Sequence, residues 1–218
     1  MNKQMSLSAF SDELAQVRTK KKEFLEQMNR IIPWGEWIAL IQPCYYKGER
    51  GNKPYDLELM LRIYMLQNLY DLADEATVAE VIDSRAFSDF CRVDSSNQVP
   101  NGDTLGRFRN LLIQNGLQEK LFTQVVLMLK ERGLILKKGT IVDSMIISAP
   151  SSTKNKARKR EHAKSSVRAK VEHVFGVVKG LLKFKKTRYR GLRKQAAKFN
   201  IMFALANLIL ADRPCLAA

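Results

Sequence analysis

A chain of 218 residues with 45% hydrophobic and 27% charged side chains has the composition of one large or two small folded domains, which excludes collagen-like and wholly disordered classes. Its 37 Lys and Arg against 22 Asp and Glu give a net charge of +15. The excess is concentrated: residues 1–153 carry 19 basic and 19 acidic side chains, whereas residues 154–198 carry 17 basic ones against only Glu161 and Glu172. The C-terminal third therefore expects a polyanion. Nucleic acid is preferred to an anionic membrane, because no amphipathic stretch sets Trp or Phe opposite its lysines. Met1-Asn2-Lys3-Gln4 does not read as the start of a signal peptide, and the apolar run from Ile201 to Ala211 is too short for a membrane span and broken by Asn207. Cys44, Cys91 and Cys215 are odd in number and widely spaced, which supports neither a disulfide framework nor a zinc site and fits a reduced, cytosolic protein.

In chain order, Phe10, Leu14 and Val17, then Phe24, Leu25 and Met28, follow helical spacing up to Pro33. Trp34, Trp37, Ile38 and Ile41 lead to Pro43, and the segment 45–54 reads as a loop. Asp56 to Leu72 predicts a helix with one apolar face of Leu57, Met60, Leu61, Tyr64, Met65 and Leu69. Further helices are expected at about 75–83, 104–112 and 117–132, with Asp103 as N-cap of the second of these. Leu134–Leu136 and Thr140–Ile147 are rich in β-branched residues and predict a strand pair. Residues 151–164 read as an exposed basic linker. Helix resumes near Ser165, where Val167, Val171, Val174, Val178 and Leu181 form a seam. A basic segment from Lys183 to Lys194 precedes a last helix at about 196–211.

Asp143 lies in an apolar strand, where a carboxylate is costly unless paired, hydrogen-bonded or metal-bound. It is either an Mg²⁺ ligand or a solvated strand-end residue. Arg168, Glu172 and Lys179 are spaced four and seven apart, which places them within about 40° of one another on a helix. They suit a metal ligand beside a phosphate-binding surface, or simply an exposed ion pair worth ~0.3 kcal/mol. The segment 183–194 interleaves Phe184 and Tyr189 with seven cations and no acid. Its aromatics could stack on bases while its cations neutralise phosphates.

Several ordered motifs carry a family resemblance: Ile32-Pro33-Trp34, Leu61-Arg62 with Gln67, Arg107-Phe108-Arg109, Gly139-Thr140-Ile141-Val142-Asp143, Ala149-Pro150-Ser151-Ser152-Thr153-Lys154-Asn155, Arg168-Ala169-Lys170-Val171-Glu172-His173, Tyr189-Arg190-Gly191-Leu192 and Phe203-Ala204-Leu205-Ala206-Asn207-Leu208. Over nearly its whole length the chain resembles a DDE transposase of the insertion-sequence-five type, a bacterial family. The resemblance implies a helical DNA-binding and multimerising region at 1–132, followed at 133–218 by an RNase H-like core in which three carboxylates hold two Mg²⁺ ions. Asp143 matches the first catalytic and metal-binding acid. Glu172 matches the last, within a Tyr-x2-Arg-x3-Glu-x6-Lys signature whose Arg and Lys are Arg168 and Lys179, and whose Tyr is replaced by Ser165.

The family places most of its sheet and a second Asp between these acids, yet residues 144–171 contain no Asp and a single acid, Glu161. The expectation is a mainly α protein with a truncated RNase H-like remnant of one or two strands, in which Mg²⁺ is implied by the family but not tightly held by this chain. The expected partner is DNA at transposon ends, contacted by Arg168, Lys179, Lys183, Lys185, Lys186, Arg188, Arg190, Arg193 and Lys194. Homo-oligomers or hetero-oligomers with intact transposase and a nucleoid location accompany that reading, with defective cleavage and strand transfer. The alternative is a non-catalytic, basic DNA-binding regulator or inhibitor of transposition.

Overall fold

The computed structural model describes residues 18–46, 53–134, 174–186 and 189–212. Among these residues every regular element is helical. The Thr19 hydroxyl accepts from the Lys22 amide at 3.2 Å and starts α1 (Lys20–Ile31). Pro33 separates it from α2 (Trp34–Ile41), which runs into a 3₁₀ turn containing Pro43. Asp56 caps α3 (Leu57–Leu69) by accepting from the Leu59 amide at 3.0 Å. Then follow α4 (Asp74–Asp83), α5 (Arg85–Cys91), α6 (Gly102–Gln114) and α7 (Leu117–Glu131). A π-helical turn (Val177–Leu181) precedes the long α8 (Leu192–Ala211). Asn101, not Asp103, caps α6, its side-chain oxygen accepting from the Thr104 amide at 2.9 Å. Asp103 instead sits in the first turn, where its charge favours the helix N-terminus.

The expected single apolar face of α3 is too narrow. The helix is buried around almost its whole circumference, including Arg62, Gln67 and Asn68. Arg62 is tolerated there because its guanidinium is ion-paired and hydrogen-bonded. Nε donates to Glu58 at 2.8 Å, and Nη1 donates to the Asn29 side chain at 2.8 Å and the Phe90 carbonyl at 2.9 Å. The Trp34 ring covers the guanidinium at 4.3 Å. One residue thereby ties α1, α2, α3 and α5 together.

A π turn changes the face of the segment after Val174. The Leu182 amide reaches back five residues to the Val177 carbonyl at 2.9 Å, so the turn is wider than an α-turn. Val177, Val178 and Leu182 are buried and Leu181 is exposed, whereas the regular valine seam expected Leu181 inside. The last helix begins at Leu192, four residues before its expected start, and packs most extensively along α7. Ile201, Met202, Leu205 and Ile209 share a single hydrophobic cluster with Met28, Trp37, Leu61 and Leu121. The two expected strands beyond Leu134, the linker at 151–164 and the helix start near Ser165 lie outside the described residues.

Truncating Arg62 to Ala should leave the Asn29 side chain and the Phe90 carbonyl without their donor, while Glu58 keeps Arg92 at 2.9 Å, and cost roughly 1–3 kcal/mol in urea unfolding. Arg62→Lys should recover little of this, because an ammonium cannot serve the three directions that the guanidinium fork serves.

Candidate nucleic-acid interface

The basic segment is held against the helical body by polar contacts at both ends and an aromatic anchor between. After the π turn, Lys183 adopts the left-handed conformation with φ of 53°, and the Phe184 amide reaches the Val178 carbonyl at 3.1 Å. Phe184 turns inward and packs edge-on against Phe199 at 5.3 Å, in a row that continues through Phe203 to Phe175. Tyr189 also faces the body: its hydroxyl accepts from Arg109 Nη1 at 3.2 Å, and the Arg109 guanidinium lies 4.5 Å from its ring centre. The expectation that these two aromatics stack on bases is therefore corrected, because both rings serve the protein's own packing.

Arg109 is itself fixed. It grips Asp74 through two parallel bonds of 2.5 and 2.8 Å, and Gln67 Nε2 adds a third donor to the same carboxylate at 2.6 Å. Burial alone would raise the Asp74 carboxyl, but the hydrogen bonds from Arg109 and Gln67 outweigh it and hold the group below the usual carboxylate range. The Tyr189 phenol is pushed up, chiefly by burial. Beyond Gly191, Arg193 Nη2 donates to the Ile113 and Gln114 carbonyls at 3.1 and 3.3 Å, a favourable place for a cation at the C-terminal end of α6. The Gln195 side chain donates to the Tyr189 carbonyl and closes the corner. Lys198 leaves the surface altogether and pairs with Asp71 inside the core, so it is one cation of the basic third that no outside partner can use.

Of the residues expected to contact DNA, Lys179, Lys183, Lys185, Lys186, Arg190, Arg193 and Lys194 are all exposed. Arg168 and Arg188 lie outside the described residues, as do Asp143 and Glu172, the two acids matched to catalysis and Mg²⁺. Among the described residues no group of three or more His, Cys, Asp or Glu side chains is placed to hold a metal. The residues missed by sequence reasoning are Asp71, Asp74 and Arg109, which position the segment. Arg109 stood in a quoted motif, but nothing in its spacing pointed to Tyr189, eighty residues further on.

The profile of a family described as Transposase domain (DUF772) matches residues 12–111, and that of a family described as Transposase DDE domain matches residues 153–208. No solved structure matches the chain. The first match ends just past Arg109 and the second contains Tyr189, so the contact between these residues joins the two matched segments.

Because the folded-state Asp74 carboxyl is depressed, its contribution to stability is full above the ordinary carboxylate range near pH 4 and is lost as pH falls through the lower folded value. Asp74→Asn should therefore lose roughly 2 kcal/mol at neutral pH and show a flatter decline of stability below about pH 4. Urea unfolding across pH 2–7 checks both.

Proposed function

Since the chain belongs to the transposases of insertion sequences, we propose that it is a DNA-binding transposase derivative that recognises transposon ends but lacks a complete apparatus for cleavage and strand transfer. The observation that carries this reading is the pairing of an intact cationic surface with an incomplete acid set. Six cations stand exposed on a segment fastened to the helical body, with Lys179 exposed just before it, while residues 144–171 supply no Asp between Asp143 and Glu172. Asp143 and Glu172 are assigned to catalysis and to Mg²⁺ by their place in the family signature. Two carboxylates fall short of the three that the signature requires, and Mg²⁺ demands near-ideal octahedral geometry. The remaining role is occupation of DNA, in which the chain competes with intact transposase for the same ends as an inhibitor of transposition. A nucleoid location follows from that role. Among the described residues no helix is long and apolar enough to cross a membrane.

Affinity for duplex DNA should fall steeply with salt, because each neutralised phosphate releases counterions. Removing residues 154–198 is an unclean test, since Ala197 and Lys198 belong to the core. Neutralising Lys185, Lys186, Arg190 and Lys194 to Gln leaves the fold and should reduce the log–log salt slope by about 0.9 for each phosphate that is no longer neutralised. An unchanged slope would remove this segment from the interface.

With Mg²⁺ and a transposon-end duplex, no nicked product is expected. A metal-dependent nick that disappears in Asp143→Asn would restore the enzyme reading.

A further inference from the structure

Leu192 is the anomaly of the surface. It is 89% exposed, whereas the next most exposed large apolar side chain among the described residues, Tyr46, is 54% exposed. An exposed leucine is ordinary by itself, but its neighbours are not. Arg190, Arg193 and Lys194 are all exposed around it, so an apolar group stands in the middle of a cationic surface. The corner that presents it is built for that conformation. Gly191 has φ of 95°, a region that side-chain-bearing residues rarely enter. Around it, the Tyr189 carbonyl is held by Gln195, the Tyr189 ring by Arg109, and the Arg193 guanidinium by the end of α6. Leu192 is thus projected by a braced turn on the side where phosphates would be neutralised.

We propose that Leu192 is a DNA wedge: when the flanking cations engage the backbone of a duplex, its side chain enters between adjacent base pairs and partly unstacks them. This inference rests on the DNA-binding reading above and adds a mode of contact to it. The chemistry is complementary. Cations on phosphates fix the protein's register on the duplex, whereas an inserted aliphatic side chain gives up its exposure to water and occupies the gap opened at a base step. Steps such as TA yield most easily. With Phe184 and Tyr189 turned inward, Leu192 is the apolar group that this corner leaves facing outward.

The test uses the full chain and short duplexes carrying 2-aminopurine beside a TA step. Wild-type protein should raise the fluorescence of the probe on binding, in proportion to occupancy. Leu192→Ala should lose most of that rise and bind roughly tenfold more weakly, with an unchanged salt slope, since no charge has been removed. Leu192→Met should retain both, and Gly191→Ala, which keeps the leucine and every charge, should blunt the rise. Binding without a fluorescence change in wild type, or an equal change in Leu192→Ala, overturns the wedge and leaves the DNA-binding reading intact. Failure of wild type to bind duplex, or retention on anionic vesicles in its place, overturns both. A shift of Leu192→Ala from oligomer to monomer in sedimentation, with its fluorescence rise intact, assigns the leucine to a second copy and also overturns the wedge.

Discussion

Lys198 and Asp71 leave water together, and that constraint fixes where the C-terminal helix sits. Both are about 95% buried, with relative exposures of 5% and 4%. Such a pair adds little net stability over an apolar substitute, but separating its members leaves a bare charge in the core. The pair joins α8 to the turn that ends α3. Asp71 meets Lys198 from a left-handed backbone position with φ of 49°, where the Leu72 amide closes back onto the Gln67 carbonyl at 3.0 Å. Asp tolerates that conformation better than most residues. The terminating turn of one helix thus doubles as the socket for another, and the Asp74–Arg109–Tyr189 contacts extend the alignment outward to the basic segment.

The division of charge follows from this arrangement. Within one short stretch, Lys198 is consumed by folding, Arg193 is shared between α6 and solvent, and Lys185, Lys186 and Lys194 face solvent. A cation bound to helix-terminal carbonyls has given up part of its rotational freedom before any ligand arrives. Such preorganisation lowers the ordering cost of binding. A count of net charge treats all these side chains alike, whereas their surroundings give them separate duties.

Much of the helical body could be read from periodicity alone. The bounds of α4 and α7 follow their apolar spacing, and Pro33 marks the break before α2. The face of α3 could not be read, because a helix surrounded on all sides carries polar residues whose partners come from distant parts of the chain, as Asn29 and Phe90 do for Arg62. The seven residues of α5 are too few to establish a period. The π turn defeats a rule that assumes a constant advance per residue, and so Leu181 and Leu182 exchange places. For the interface, the cations were readable but the direction of the aromatics was not, since Phe184 and Tyr189 answer to Phe199 and Arg109. The acids Asp143 and Glu172 rest on the family signature, and the described residues neither unite nor separate them.

The lengthwise packing of α8 on α7 has a consequence for chain connectivity. These helices meet through Leu121, Val125, Ile201 and Leu205 and their neighbours in one cluster, so their association does not depend on the covalent path from residue 134 to residue 174. A backbone cut within that path would leave two fragments that hold each other by burial and by the Lys198–Asp71 pair.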